Sequence, residues 1–586
     1  MNDSLPIWNL KDLYTSLKSK EISKDIKTAQ NKTNLFVKRN STKVHLMDGK
    51  KLSKEIKAYE DICLIIGKLY SFASLSFSVN SEKPEFGQLY QKIKELSSEI
   101  FSNLIFFELE IMNLNKTVSS RLIKDKDLSY WKPWLRKIFY RKPYQLSSEL
   151  EKFIAENKPN TRGAWVRLFD ETSASLRFNY NGKLITETNI LNLLSDKNSS
   201  IRKKAAKEFS RVLNENIKTR SLIINTISRD KSVEDKKRGF LKPISSRNLD
   251  NDVEDQVVKA LATSVTNRFS DLSHRYYQIK SSWFKKPALN WWDRNAPLPN
   301  SPTDKWSWQE AKEIVLTSFE DFSPEISKIA KLFFDKNWID AKIRSGKDSG
   351  AYSHPTVPNV HPYILMNYSG KSRDVMTLAH ELGHGVHQTL SARNGYFLSD
   401  TPLTLAETAS VFGEMLVFQN LLAKSKNKNS KKHLIAGKVE DMLNTVVRQI
   451  AFHNFETQFH DARKNNELTP KQISQIWMET QSQALGKHIV LDKSYEPLWS
   501  YIPHFIHTPF YVYAYAFGDC LVNSLFQVWK NGEKDFTYKY LNLLKSGGIH
   551  HHKQALSPFN LDASDKRFWN KGLNTISDLI DELENL

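Results

Sequence analysis

Apolar residues recur at three- and four-residue spacing along most of the chain, the repeat of an amphipathic helix. The pattern is clearest over 86–112, 200–228 and 255–282. Strand-like alternation is rare. Two short segments carry it, 348–353 and 361–368. The second, His361-Pro362-Tyr363-Ile364-Leu365-Met366-Asn367-Tyr368, is aromatic and β-branched and bounded by turn residues. No internal repeat of fixed period stands out, which argues against a solenoid. The pattern predicts a mostly α protein with a small β element. The polar stretch Ser195-Asp196-Lys197-Asn198-Ser199-Ser200 precedes a fresh helix. It marks the expected seam between an N-terminal helical region, 1–195, and a region, 196–586, that carries the chemistry.

At 586 residues, 40% hydrophobic and 26% charged, the chain can bury a large core. Its 14 Trp, 21 Tyr and 32 Phe exclude a solvated, disordered chain. The only cysteines, Cys63 and Cys520, cannot form a disulfide framework or a Cys-rich zinc module, and they suggest a reducing compartment. The net charge is +20. The cations are mostly Lys, spread along the chain without a compact basic block, so they read as a solvated surface rather than a polyanion site. Residues 1–6 lack a basic stretch followed by an apolar one. The most apolar segment, Ile100 to Met112, is too short to span a bilayer and contains Glu108 and Glu110. The expectation is a cytoplasmic protein with no nucleic-acid and no membrane partner. The oligomeric state stays open, and a monomer is compatible with the sequence.

One motif dominates, His380-Glu381-Leu382-Gly383-His384. Asp374 is the expected N-cap of its helix. Val375, Met376, Leu378, Ala379, Leu382, Val386 and Leu390 give the apolar stripe. Positions i and i+4 share a helix face, so two imidazoles can bind one zinc ion from a single rigid element. Glu381 is turned about 100° from His380 and flanks the metal, where a general base should stand.

A catalytic zinc needs a third protein ligand and an open position. His387 lies about 10 Å along the axis from His380, too far for both to ligate beside His384. Glu407 and Glu414 follow in a segment that begins like a helix, with Thr401 as N-cap and Pro402 in the first turn. The Asn394-Gly395 loop lets this segment fold back on the motif helix. Glu407 is assigned as the ligand, and Glu414 as a partner that orients an imidazole.

The motif followed by Glu407-Thr408, Ser410 and Glu414 resembles the oligoendopeptidase F branch of the thimet-type oligopeptidases. Trp8-Asn9-Leu10-Lys11-Asp12-Leu13-Tyr14, Arg238-Gly239-Phe240 with Ser246-Arg247-Asn248-Leu249, Ile502-Pro503-His504-Phe505 and Pro509 to Tyr515 extend the resemblance over essentially the whole chain. It implies a two-lobed, mostly helical ellipsoid with a deep substrate channel, a zincin-type catalytic helix and a small β-sheet beside the metal. It implies one Zn2+ ion held by His380, His384 and Glu407, with Glu381 as acid/base, acting on internal bonds of short peptides. His387 matches a family histidine that is not a ligand. Tyr515 and His504 match the groups that donate hydrogen bonds to the oxyanion. Tyr511, Tyr513 and His507 are assigned to substrate binding and stay as rivals for the donor role.

Two other functions are weighed. An exopeptidase releasing C-terminal residues, in the manner of a dipeptidyl carboxypeptidase, needs a cation for the terminal carboxylate, and Arg373 or Arg393 could serve. A non-catalytic basic binding protein would use the net charge. His550-His551-His552, beside Gly547-Gly548, reads as an adventitious surface tract.

Overall fold

The computed structural model describes residues 5–300, 305–425 and 427–586. Residues 1–4 of the N-terminal stretch 1–6 lie outside them. The chain forms two compact units, each built from separated stretches. The first comprises 1–143, 304–424 and 532–560, and the second 144–303, 425–531 and 561–586. The seam expected near residue 195 falls inside the second unit, where the Asn198 side chain accepts from Ser200 N and starts the helix Ser199–Glu215.

In the first unit the periodic stretch 86–112 is the helix Pro84–Asn113, opened by proline in its first turn. It packs with Lys20–Asn40 and Gly49–Ser78 through contacting rings: Phe36 and Phe107 are 5.0 Å apart, and Tyr59 and Phe107 5.7 Å. Among the described residues, Gly49–Ser78 is the one helix long and apolar enough to cross a membrane by length and composition. Its Leu52, Ile56, Leu69 and Phe72 are buried in the hydrophobic core.

The predicted strand 361–368 forms in a shorter version, whereas only the last two residues of 348–353 enter a strand, which is shifted to Tyr352–His354. Tyr363–Leu365 is the middle strand of three. It runs parallel to Ile339–Asp340 and antiparallel to Tyr352–His354, with Ser353 opposite Ile364. The motif helix follows directly as Ser372–Ser391. It starts earlier than an Asp374 cap would place it. Gly370, at φ +85°, turns the chain. Asp374 then lies inside the first turn, and its Oδ2 accepts from Ser369 N at 2.8 Å and Lys371 N at 3.1 Å. A carboxylate there offsets the positive end of the helix dipole. His552, expected on the surface, is buried.

In the second unit the stretch 200–228 is two helices, Ser199–Glu215 and Ile217–Arg238, separated at Asn216. The stretch 255–282 becomes Asp255–Asn267 and Arg275–Trp283, joined by a wider turn at Ser270–His274. The helix Tyr513–Lys530 is buried along most of its length. The C-terminal helix Lys566–Glu584 docks on it, burying Phe568, Trp569, Leu573, Ile576 and Ile580. Gly572 permits the contact, because a Cβ there would lie 2.3 Å from the Cys520 carbonyl oxygen. Gly572→Val should therefore force the two helices apart and cost about 1–3 kcal/mol by overpacking. Thermal unfolding monitored by circular dichroism should show a lower midpoint, and an unchanged midpoint would refute this packing.

Candidate active site

The motif helix aims His380 and His384 at one point. The Nε2 atoms of both lie 3.4 Å from the same oxygen, Oε2 of Glu407. The rings are 4.9 Å apart at 82°, so they converge without stacking. Two imidazole nitrogens and one carboxylate oxygen, all within 4.8 Å of one another, could hold a metal ion, and these are donor types that zinc accepts. Burial works against charge on Glu407. The hydrogen bond and charge of His384, the charge of His380 and the Ser410 hydroxyl outweigh it and hold the carboxyl down to about 2.

Glu381 is 5% exposed. Burial raises its carboxyl, against the charges of His380 and His384. Its Oε2 is buried with no hydrogen-bond partner among the described residues. Such an orphaned acceptor beside three convergent donors fits a metal with a water next to it. Glu414 Oε2 lies 3.3 Å from His380 Nδ1. With Nδ1–H donating there, the Nε2 lone pair is free to face a metal. His387 stands apart from the trio. It is buried, pushed down to about 4 mainly by that burial, and its Nε2 lies 3.4 Å from Thr401 Oγ1.

Gly383 lets the second element come this close. A Cβ on it would sit 2.4 Å from the Ala409 carbonyl oxygen and 2.6 Å from Ser410 Cα. On the opposing helix, a Cβ on Gly413 would meet the Phe319 ring at 2.9 Å. The sequence led us to expect one helix running from a Thr401 cap. Instead a short turn, Leu403–Ala406, stops, Glu407 occupies the break, and a new helix spans Thr408–Lys424. Side chains compete locally for the backbone here. Thr408 Oγ1 donates to Leu405 O at 2.7 Å, and Ser410 Oγ lies 3.1 Å from Glu407 O and 2.6 Å from its Oε2. The break turns Glu407 towards the histidines.

The outer strand Tyr352–His354 is tied to the motif helix by a reciprocal pair. Ser353 Oγ donates to Gln388 Oε1 at 2.8 Å, and Gln388 Nε2 donates to Ser353 O at 3.2 Å.

The family model described as peptidase family M3 matches residues 192–575, and the one described as oligopeptidase F matches residues 110–178. The chain belongs to peptidase family M3. It is a metallopeptidase by that membership. An oligoendopeptidase F homolog of Borreliella burgdorferi is 26% identical over 587 residues, which span 99% of this chain and 98% of its own length. A protein of Chlamydophila abortus solved by crystallography matches with a TM-score of 0.86 at 23% identity, covering 99% of this chain and 98% of that one. Oligoendopeptidase-F from Enterococcus faecium matches at 0.72 and 20% identity, covering 96% and 97%. Both structures are likenesses of fold.

In the second unit of this M3 metallopeptidase, His504 Nε2 lies 3.1 Å from the Tyr515 hydroxyl. Tyr511 packs against both, stacked on His504 at 6.0 Å and edge-on to Tyr515 at 5.4 Å. Burial, with His507 and Arg448 nearby, pushes the His504 imidazole down, which favours its neutral form. Tyr513 does not belong with a substrate surface. It is fully buried, and its hydroxyl takes a hydrogen bond from Asn251 Nδ2 at 2.8 Å. His507 points elsewhere, with Nε2 2.6 Å from Asp170 Oδ1.

A cavity of about 410 Å3 in the first unit opens on His384, with Trp134, Val357, Tyr396 and Phe397 in its wall. Sequence reasoning gave no role to Ser410, Gly383 or the Ser353–Gln388 pair. The first two stood within recognised motifs. The third pair carries no sequence signal.

Gly383→Ala should displace the Glu407–Ser410 break and cut metal content well below one ion per chain, with helicity retained. Plasma mass spectrometry with far-ultraviolet circular dichroism tests this. Full metal occupancy would show that the close approach is dispensable.

Proposed function

We propose that this metallopeptidase is a zinc-dependent endopeptidase acting on short peptides. His380, His384 and Glu407 would hold the ion, and one observation carries the proposal: two Nε2 atoms and a carboxylate oxygen converge beside a buried, unpartnered Glu381 oxygen. An ion bound there would supply Lewis acidity. Glu381 takes the proton from the attacking water and returns it to the leaving amine. Glu414 keeps His380 in one tautomer and orientation. His504 and Tyr515 donate hydrogen bonds to the oxygen that gains charge, a role that rests on the family resemblance and on their mutual contact.

Several features support peptide substrates. The similar proteins are oligoendopeptidases by name. The cavity beside His384 offers an apolar wall for one substrate side chain. Cys63 and Cys520 are both free and buried, which fits a reducing cytoplasm.

Glu381→Gln should keep its zinc and lose roughly 10²- to 10⁴-fold in kcat on a quenched peptide. Wild-type turnover in this variant would remove Glu381 as the base. Glu407→Gln should arrive depleted of zinc, and normal zinc content would move the third ligand elsewhere. Amidating the peptide C-terminus should leave kcat/KM nearly unchanged. A large loss would indicate a carboxypeptidase-type enzyme.

A further inference from the structure

The segment between His504 and Tyr515 contains a turn that its own sequence disfavours. Tyr511 N donates to Thr508 O at 3.0 Å, with Pro509 and Phe510 at the two central positions. Phe510 has φ +62°. A proline followed by a positive φ is the arrangement of a type II turn, whose third position ordinarily needs glycine. An L-phenylalanine there is strained relative to a right-handed conformation. The relaxed alternative is the type I turn, reached by flipping the central peptide, the one linking Pro509 to Phe510.

That peptide is gripped at both ends. Arg247 Nε donates to the Pro509 carbonyl oxygen at 3.3 Å. Phe510 N donates to Glu456 Oε1 at 2.7 Å in a fully buried hydrogen bond. A flip would exchange the carbonyl and the N–H, so both partners would lose their bonds together. Glu456 is 2% exposed, and its Oε2 has no partner among the described residues. Burial, against the Phe510 N–H and the charges of Arg247 and Lys231, pushes this carboxyl up to about 8. A neutral acid that accepts through one oxygen has a close mimic in glutamine. Phe510 is buried and packs 4.7 Å from the His460 ring, which anchors the side chain while the clamp orients the backbone.

We propose that Arg247 and Glu456 are positioning residues for hydrolysis, holding the Pro509–Phe510 peptide in its strained orientation so that Tyr511 and Tyr515 stay packed against His504. The proposal deepens the functional reading above and rests on it for the role of His504 and Tyr515. Neither clamp residue need touch the substrate. Their effect should therefore fall on kcat rather than on KM or on zinc content.

The test compares Glu456→Gln with Glu456→Leu in the full-length zinc enzyme, using a quenched peptide, zinc analysis and hydrogen exchange over residues 504–515. Glu456→Gln should keep wild-type kcat and KM. Glu456→Leu should keep its zinc and lose roughly ten- to hundredfold in kcat with little change in KM. The Phe510 amide should be protected in the wild type and in Glu456→Gln, and should exchange faster in Glu456→Leu. An indifferent Glu456→Leu, or a Glu456→Gln that falls as far, would overturn the clamp. If Glu456→Leu fails to fold, Arg247→Met and Arg247→Lys repeat the comparison at the carbonyl end. Met should lower kcat and Lys should restore part of it, and equal behaviour of the two would overturn the proposal. A wild type that cleaves no peptide would strike the functional reading, and the exchange data alone would then decide whether the clamp exists.

Discussion

Two helix backbones touch where Gly383 meets Ala409 and Ser410, and the candidate metal centre depends on that contact. Any side chain at Gly383 would overlap main-chain atoms, which cannot move aside as a flexible side chain can. The contact fixes the distance from the imidazoles to the segment that carries Glu407. The helix break at Glu407 then sets direction, because the Thr408 hydroxyl bonds the Leu405 carbonyl that a continuous helix would have used. Ser410 also reaches the Glu407 oxygen that both imidazoles face. Separation and direction thus come from small residues and hydroxyls, while the charged residues supply the chemistry.

Electrostatics within the cluster is balanced by pairing. Glu407 and Glu414 each lie against a motif histidine, and a buried oxygen of Glu381 has no partner among the described residues. A buried polar atom without a partner is costly and is rare in a folded protein. It is understandable where a reacting water belongs. The second unit shows the same logic in its backbone. Phe510 takes up a conformation that glycine would adopt more easily, and buried partners on both sides of one peptide sustain it. Strain of this kind persists only where surrounding contacts over-determine it.

Much of this was legible in the sequence, for identifiable reasons. The helical period exposed the long helices, and the i, i+4 histidines with Glu381 exposed the centre of the site. Interruptions were harder to see. Asn216 divides a stretch with unbroken periodicity, and Glu407 divides one that starts with good helix signals. In both places polar side chains compete for backbone groups, and a hydrophobic pattern does not register that. Tyr513 looked equivalent to Tyr511 and Tyr515 because all three are tyrosines at alternating positions. On a helix such spacing sends neighbours to different faces, and Tyr513 faces Asn251 in the interior. The clamp residues Arg247 and Glu456 are far from residue 510 in sequence, so local spacing could not connect them.

The central claim is that one ion is held by His380, His384 and Glu407 with a coordination position left open. Diffraction data collected on either side of the zinc absorption edge, from crystals of the purified full-length protein, test it most directly. One anomalous peak bonded to both Nε2 atoms and a Glu407 oxygen, with a non-protein ligand completing the shell, is the expected result. A peak away from these three atoms, or a shell filled by four protein groups, would contradict it.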